Sequence, residues 1–242
     1  MTTTRARSFD AAAALYHASR PGYPDALFDA VEELAGASLR GARVADAGAG
    51  TGIASALLHA RGARVLAVEP GDGMAAEFRR AHPGIPVVRG DGDRLPLASD
   101  SLDFLTYAQA WHWTDPARSV PEARRVLRPG GALALWWNDL DLSVDWIAEQ
   151  DERIARLFGV PAGLQPREDP EELGLTTREV RWSRRIPLDA HLANLASHSA
   201  FLLLGESATR EFTGAERARL LERFPDGTVE EAYVVTLRVA VV

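Results

Sequence analysis

The stretch Val44-Ala45-Asp46-Ala47-Gly48-Ala49-Gly50-Thr51-Gly52 decides how this 242-residue chain is read. Arg43 to Ala47 is apolar enough for a buried strand, the glycines at 48, 50 and 52 form a turn, and Ile53, Leu57 and Leu58 follow at helical spacing. Glycine admits positive φ and leaves no Cβ between a ligand and the main chain. A dinucleotide site calls for G-x-G-x-x-G, or a final Ala, so that the helix packs close and offers its N-terminus to a pyrophosphate. Here Ile53 stands in the third-glycine position, and Asp46 lies two residues before the first glycine. An acid beside the pocket repels a pyrophosphate and suits a ligand that carries an ammonium or sulfonium.

Composition bounds the partner. The chain is 46% hydrophobic, enough for one sizeable α/β domain, and its net charge of -7 lacks the basic excess that nucleic acid or an anionic membrane requires. It has no cysteine, which removes disulfides, thiolate zinc sites and a cysteine nucleophile together. Met1 to Ser8 is polar, without the apolar core of a signal peptide, and no apolar run approaches the roughly 20 residues of a membrane-spanning helix. The expectation is a cytoplasmic protein, monomer or homodimer, with a small-molecule partner and neither nucleic acid nor membrane.

Outward from the turn, Arg64 to Val68 reads as a second strand ending in Glu69, where a carboxylate can accept both hydroxyls of a ribose. Ile85 to Val88 is a third strand and leads into Gly90-Asp91-Gly92-Asp93-Arg94-Leu95-Pro96-Leu97. Ser101 to Ala108 is a fourth, opening into Gln109-Ala110-Trp111-His112-Trp113. A helix begun by Pro121 is expected to end at Arg128-Pro129-Gly130-Gly131 before a fifth strand, Ala132 to Trp137. Strands alternating with helices at this spacing imply a parallel sheet with ligands at the strands' carboxyl ends. Asp46, Glu69, Asp91 and the Ala108 to His112 loop all fall there. Farther on, Asp145 to Phe158 reads as a helix stopped by Gly159, Thr177 to Leu188 and Ala232 to Val242 as late strands, and Leu192 to Leu204 and Ala215 to Phe224 as helices. Residues 9 to 35 read as helical around a break at Arg20-Pro21-Gly22-Tyr23-Pro24, with Asp25 as a cap.

The D-x-G-x-G run resembles motif I of the class I S-adenosylmethionine-dependent methyltransferases. Gly90 to Leu97 resembles that family's G-D-A-x-x-L-P-[FL] segment, with Gly92 in place of the usual alanine, and Glu122 to Gly131 is similar to its E-x-x-R-V-L-[KR]-P-G-G stretch. The resemblance covers about residues 9 to 140. It implies a doubly wound, seven-stranded, mostly parallel Rossmann-like α/β sheet with a C-terminal antiparallel hairpin and an N-terminal helical lid. The whole chain is then one domain, with the lid at 1–40, the cofactor-binding core at 41–140, and acceptor-pocket helices and closing strands at 141–242. It further implies S-adenosylmethionine as cofactor, held by Asp46, Gly48, Ala49, Gly50, Glu69, Pro70, Met74, Asp91, Gly92, Asp93 and Ala108. Tyr16 and Arg20 of the lid are expected at its methionyl end.

Methyl transfer from a sulfonium is an in-line displacement, so alignment and exclusion of water matter most, and a base is needed only for a protonated acceptor. His112, between two tryptophans beyond the fourth strand, is the candidate base. Tyr23, Trp111, Trp113 and Trp136 are candidate walls of the acceptor pocket, with the caution that alternation lets only one of Trp136 and Trp137 face a given side. The arginines at 178, 181, 184 and 185 read as a solvated strand edge. No histidine pair has ligand spacing, so no metal is expected. The competing readings are a nicotinamide-dependent oxidoreductase, disfavoured by Asp46 and Ile53, and a protein that keeps the fold to bind a ligand without methyl transfer.

Overall fold

The computed structural model describes residues 20–163 and 173–242. In chain order these form α1 (Asp25–Ala35), β1 (Arg43–Ala47), α2 (Ile53–Ala60), β2 (Arg64–Glu69), α3 (Asp72–Ala81), β3 (Val87–Arg89), β4 (Leu102–Ala108), a 3-10 turn (Trp111–Trp113), α4 (Pro116–Val126) and β5 (Leu127–Leu140). There follow α5 (Asp145–Phe158), β6 (Thr176–Pro187), α6 (Leu188–Ala196), α7 (Ser199–Leu204), α8 (Glu206–Arg223) and β7 (Thr228–Val241). Tyr16, expected at the methionyl end of the cofactor, lies outside the described residues.

One seven-stranded sheet runs β3-β2-β1-β4-β5-β7-β6, parallel except for β7, which is antiparallel to both neighbours. Because β1 sits between β2 and β4, the winding reverses at the carboxyl end of β1, where the glycine turn lies. Strand alternation splits the core into two layers. Val44, Phe104, Ala134 and Trp136 pack under Phe28 of α1, Leu58 of α2 and Phe78 of α3. Ala45, Leu105, Tyr107, Leu133 and Trp137 pack against Val120, Ala123 and Val126 of α4. A third cluster, with Trp146, Leu192, Leu220 and Val229, joins α5, α6 and α8 to the start of β7. That end of β7 pairs with the carboxyl end of β5, Leu140 facing Tyr233, so these helices stand at the ligand end of the sheet.

Three local expectations are corrected. Asp25 is the first residue of α1 and not its cap, a place taken by Pro24. Pro121 lies inside α4: the helix starts at Pro116, where a missing N–H costs nothing, and the Asp115 carboxylate accepts from the Ala117 N–H at 3.1 Å. The Arg128-Pro129-Gly130-Gly131 run does not end a helix but begins β5, in a bulge where the chain's last strand finishes. Gly130 takes φ +76° and donates to the Val242 carbonyl, while Val242 donates to Gly131 at 2.9 Å. A Cβ on Gly131 would stand 2.9 Å from the Arg128 carbonyl oxygen.

The other conspicuous residues of that segment brace the sheet. Glu122 accepts from the Leu95 N–H and from Arg125, which itself donates to the carbonyls of Leu95 and Leu97, so the helix clamps the loop after β3. On edge strand β6, Arg178, Arg181, Arg184 and Arg185 pair with Glu33, Asp141, Glu231 and Asp226 in turn.

Candidate cofactor and acceptor site

At the end of β1 the chain turns through Gly48, Gly50 and Gly52, all with positive φ. The turn is pinned from one side by the Val68 carbonyl, which accepts from the N–H groups of Gly48 and Ala49 at 2.8 and 3.2 Å. Two of the three glycines are packed shut. A Cβ at Gly48 would lie 2.5 Å from the Ala110 methyl, and one at Gly52 2.7 Å from the Phe78 ring. At Gly50 it would meet nothing within 4 Å among the described residues, so they leave the turn open there. A cradle of this kind, closed behind and open at the middle glycine, fits a ligand laid against the main chain.

Glu69, nearly buried at the end of β2, faces that opening. Its carboxylate accepts from the Gly50 N–H at 2.8 Å and the Gly71 N–H at 2.6 Å, tying the glycine turn to the start of α3. Pro70 is half-buried beside it, and Met74 is buried in the first turn of α3. On the neighbouring loop, Asp91 is exposed and accepts from the Asp93 N–H at 2.9 Å, while the Gly92 carbonyl accepts from the Tyr107 hydroxyl at 2.9 Å. Gly92 has a reason for not being alanine: a Cβ would approach the Tyr107 ring to 3.0 Å and the Thr114 methyl to 3.1 Å. Asp93 accepts from the Asp115 N–H at 2.9 Å, and burial raises its carboxyl above the ordinary range. Asp93 thus ties this loop to the one after β4.

Asp46 requires a correction. It has no exposed surface; its carboxylate points between layers and accepts from Ser55 of α2 at 2.6 Å and Thr106 of β4 at 3.1 Å. Alternation turns it away from the open side of the turn, so it supports the cradle from behind. Burial pushes its carboxyl up to about 6 against the pull of the two hydroxyls. A carboxyl harder to ionise folded than unfolded holds its proton more tightly in the native state. Stability therefore falls as pH rises from the ordinary 3.8 to about 6, by up to roughly 3 kcal/mol. In urea titrations across this window Asp46→Asn is expected to flatten that decline; an unchanged slope would mean that Asp46 ionises normally.

The aromatic candidates separate into two groups. Trp136, fully buried, meets Tyr23 edge-on at 5.9 Å in the layer beneath α1. Trp111 lies in the other layer, edge-on to Tyr107 at 4.9 Å, and so does not share a wall with Trp136. Trp113 is half-buried beside the exposed His112, with rings 4.7 Å apart. The His112 Nδ1 accepts from the indole N–H of Trp137 at 3.3 Å, so its neutral ring carries the proton on Nε2. Ala108, half-buried, closes β4. Arg20 sits near the junction of α6 and α7, where burial first and its positive charge second push His198 down to about 3.

Sequence reasoning missed Gln109. It holds φ +56°, uncommon for a residue with a Cβ, and donates its N–H to the Trp136 carbonyl at 2.8 Å. No residue pattern announces it. Among the described residues no cluster of three or more His, Cys, Asp or Glu side chains is arranged to hold a metal ion, and no helix is long and apolar enough to cross a membrane.

Comparison with known proteins agrees with this geometry. A family model described as a methyltransferase domain matches residues 45–135. An uncharacterized methyltransferase of Mycobacterium tuberculosis is 44% identical over 149 residues, 62% of this chain and 59% of the relative. The malonyl-[acyl-carrier protein] O-methyltransferase of Methylococcus capsulatus is 42% identical over 99 residues, 38% of this chain and 36% of that one. The match thus spans 59% or less of the length of these curated relatives. A solved structure from Anaeromyxobacter dehalogenans, provisionally named a type II methyltransferase, superposes with TM-score 0.63 at 28% identity, covering 92% of this chain and 97% of that one. With the strand order, the open glycine turn and Glu69 at the next strand's end, these likenesses show a fold similar to that of the class I S-adenosylmethionine-dependent methyltransferases, with residues 45–135 matching a methyltransferase domain.

Proposed function

We propose that this protein transfers a methyl group from S-adenosylmethionine to an oxygen, nitrogen or carbon centre of a small-molecule acceptor. The observation that carries the reading is the glycine turn, open at Gly50 and bridged by the Glu69 carboxylate at the switch point of the sheet. When bound, the cofactor supplies an electrophilic methyl group on a sulfonium. Gly48, Ala49 and Gly50 present main chain to it, Glu69 offers its carboxylate to the ribose, and Pro70, Met74, Asp91, Gly92 and Asp93 surround the base. Asp46 holds the turn through Ser55 and Thr106. Tyr16 and Arg20 of the lid complete the methionyl end, and residues 1–242 act as one domain, cytoplasmic, as monomer or homodimer.

His112 is the candidate base for acceptors that must lose a proton. Its Nδ1 takes that proton only by giving up the Trp137 hydrogen bond, so the indole competes with the substrate. Alignment between the aromatic walls contributes the larger share of rate. The test is calorimetry with S-adenosylhomocysteine, followed by an acceptor screen on wild type and His112→Ala. Binding with a Kd of about 10 µM or tighter is expected. His112→Ala is expected to keep that affinity and lose about tenfold or more in turnover. No binding to folded protein would remove the cofactor; equal turnover would remove the base.

A further inference from the structure

We propose that Asn138 donates its side-chain amide to an acyl oxygen, carbonyl or carboxylate, of a planar acceptor, and that this contact selects the acceptor; the proposal rests on the methyltransferase reading above. Asn138 lies two residues past Trp136, the last residue of β5 to pair with β4, and so projects beyond the strand end that carries Ala108 and Gln109. Its Oδ1 accepts from the indole N–H of Trp182 at 3.0 Å. An indole nitrogen only donates, so this bond fixes which way the amide is turned, and the NH2 group faces away from Trp182. That Nδ2 is buried and has no hydrogen-bond partner among the described residues, in a residue only 8% exposed.

Two residues back on the same face of β5, the indole N–H of Trp136 is also buried without an acceptor among the described residues. Buried donors are nearly always paired, and an unpaired one carries its full desolvation penalty. Two such donors on one strand face, at the ligand end of the sheet, define the missing partner by its chemistry. It must accept hydrogen bonds, which an acyl oxygen does from two donors at once and an ammonium cannot do at all. Aromatic groups border the position: Trp182 stacks on Tyr233 at 4.9 Å and 18°, and Tyr23 meets Trp136 edge-on. Flat surfaces of this kind suit a planar group.

The test measures binding of benzoate, benzamide and aniline, each with saturating S-adenosylhomocysteine, to wild type, Asn138→Leu and Asn138→Asp. Wild type is expected to prefer the two acyl probes over aniline by about tenfold, and Asn138→Leu to lose that preference while its affinity for S-adenosylhomocysteine stays within about twofold. Asn138→Asp keeps the size and still accepts from Trp182 but offers no N–H, so benzoate, being anionic, should weaken more than benzamide. Its thermal unfolding checks that the strand end is intact. An unchanged preference in Asn138→Leu overturns the proposal, as does a wild type with no preference. If Asn138→Leu instead weakens S-adenosylhomocysteine about tenfold, the donors serve the cofactor's carboxylate and the acceptor subsite is overturned. If wild type fails to bind S-adenosylhomocysteine but shows the acyl preference without it, and Asn138→Leu abolishes that preference, the oxygen subsite stands and the methyltransferase reading falls.

Discussion

Glu231→Ala is expected to lower the unfolding free energy by about 3–5 kcal/mol, the cost of leaving buried charged partners uncompensated. Glu231 has no exposed surface. One carboxylate oxygen meets the His191 Nδ1 at 2.6 Å, and the other accepts from Arg184 at 2.7 Å and the Tyr233 hydroxyl at 2.6 Å. From His191 the network continues through Nε2 to the Gln150 carbonyl oxygen at 3.1 Å, from the Gln150 amide to Glu216 at 3.0 Å, and on to Arg153 at 2.6 Å. One chain of polar groups therefore joins β6 and β7 to α5, α6 and α8. Burial alone would push the Glu231 carboxyl up; the hydrogen bonds from His191 and Tyr233 outweigh it and hold the group below the ordinary 4.5. Its stabilisation is thus present above about pH 4.5 and fades as the carboxylate is protonated at lower pH. Urea unfolding at neutral pH and again at acid pH measures this. A loss under about 1 kcal/mol at neutral pH would mean that solvent enters and satisfies the stranded partners. Because these helices stand over the ligand end of the sheet, acceptor affinity should fall along with stability.

For Glu69→Ala the expected result is a loss of S-adenosylhomocysteine affinity of about 10- to 150-fold, or about 1.5–3 kcal/mol, with much less effect on folding. The carboxylate works twice. It holds the Gly50 and Gly71 N–H groups, which shapes the open turn, and under the proposed function it also receives the ribose hydroxyls. Glu69→Gln separates these tasks. Its one carbonyl oxygen can keep one N–H, but its NH2 group opposes the other, so it should retain part of the fold's benefit and less of the affinity. Calorimetry on both variants, with thermal unfolding alongside, reads the two effects independently. Wild-type affinity in Glu69→Ala would place the nucleoside elsewhere.

Much of the fold was legible because it is written in neighbours. The strand, glycine turn and helix from Arg43 to Ala60 follow from apolar runs and the freedom of three glycines, and Glu69 at the end of the next strand follows from the same logic. Errors arose where local signals competed. Pro121 looked like a helix start, yet Asp115 and Pro116 start the helix better, and Pro129-Gly130 looked like a helix stop although the C-terminal strand draws those residues into the sheet. The site was legible in its outline and not in its orientation. Asp46 was read from the sequence as facing the ligand and turns to Ser55 instead; Trp111 and Trp136, both read as candidate pocket walls, lie in different layers of the core.

Sequence by itself determined the layered α/β architecture, the switch point and the place of the cradle, because each depends on residues within a turn or two of one another. Tertiary structure alone decided which polar groups find partners. Asn138 meets Trp182 across 44 positions and His191 meets Glu231 across 40, in antiparallel strands and helices that come together only after the sheet has closed. Hydrogen bonds of short reach and strict direction, made between segments so distant in the chain, leave no periodicity or motif, and so this polar network emerges only from the folded geometry.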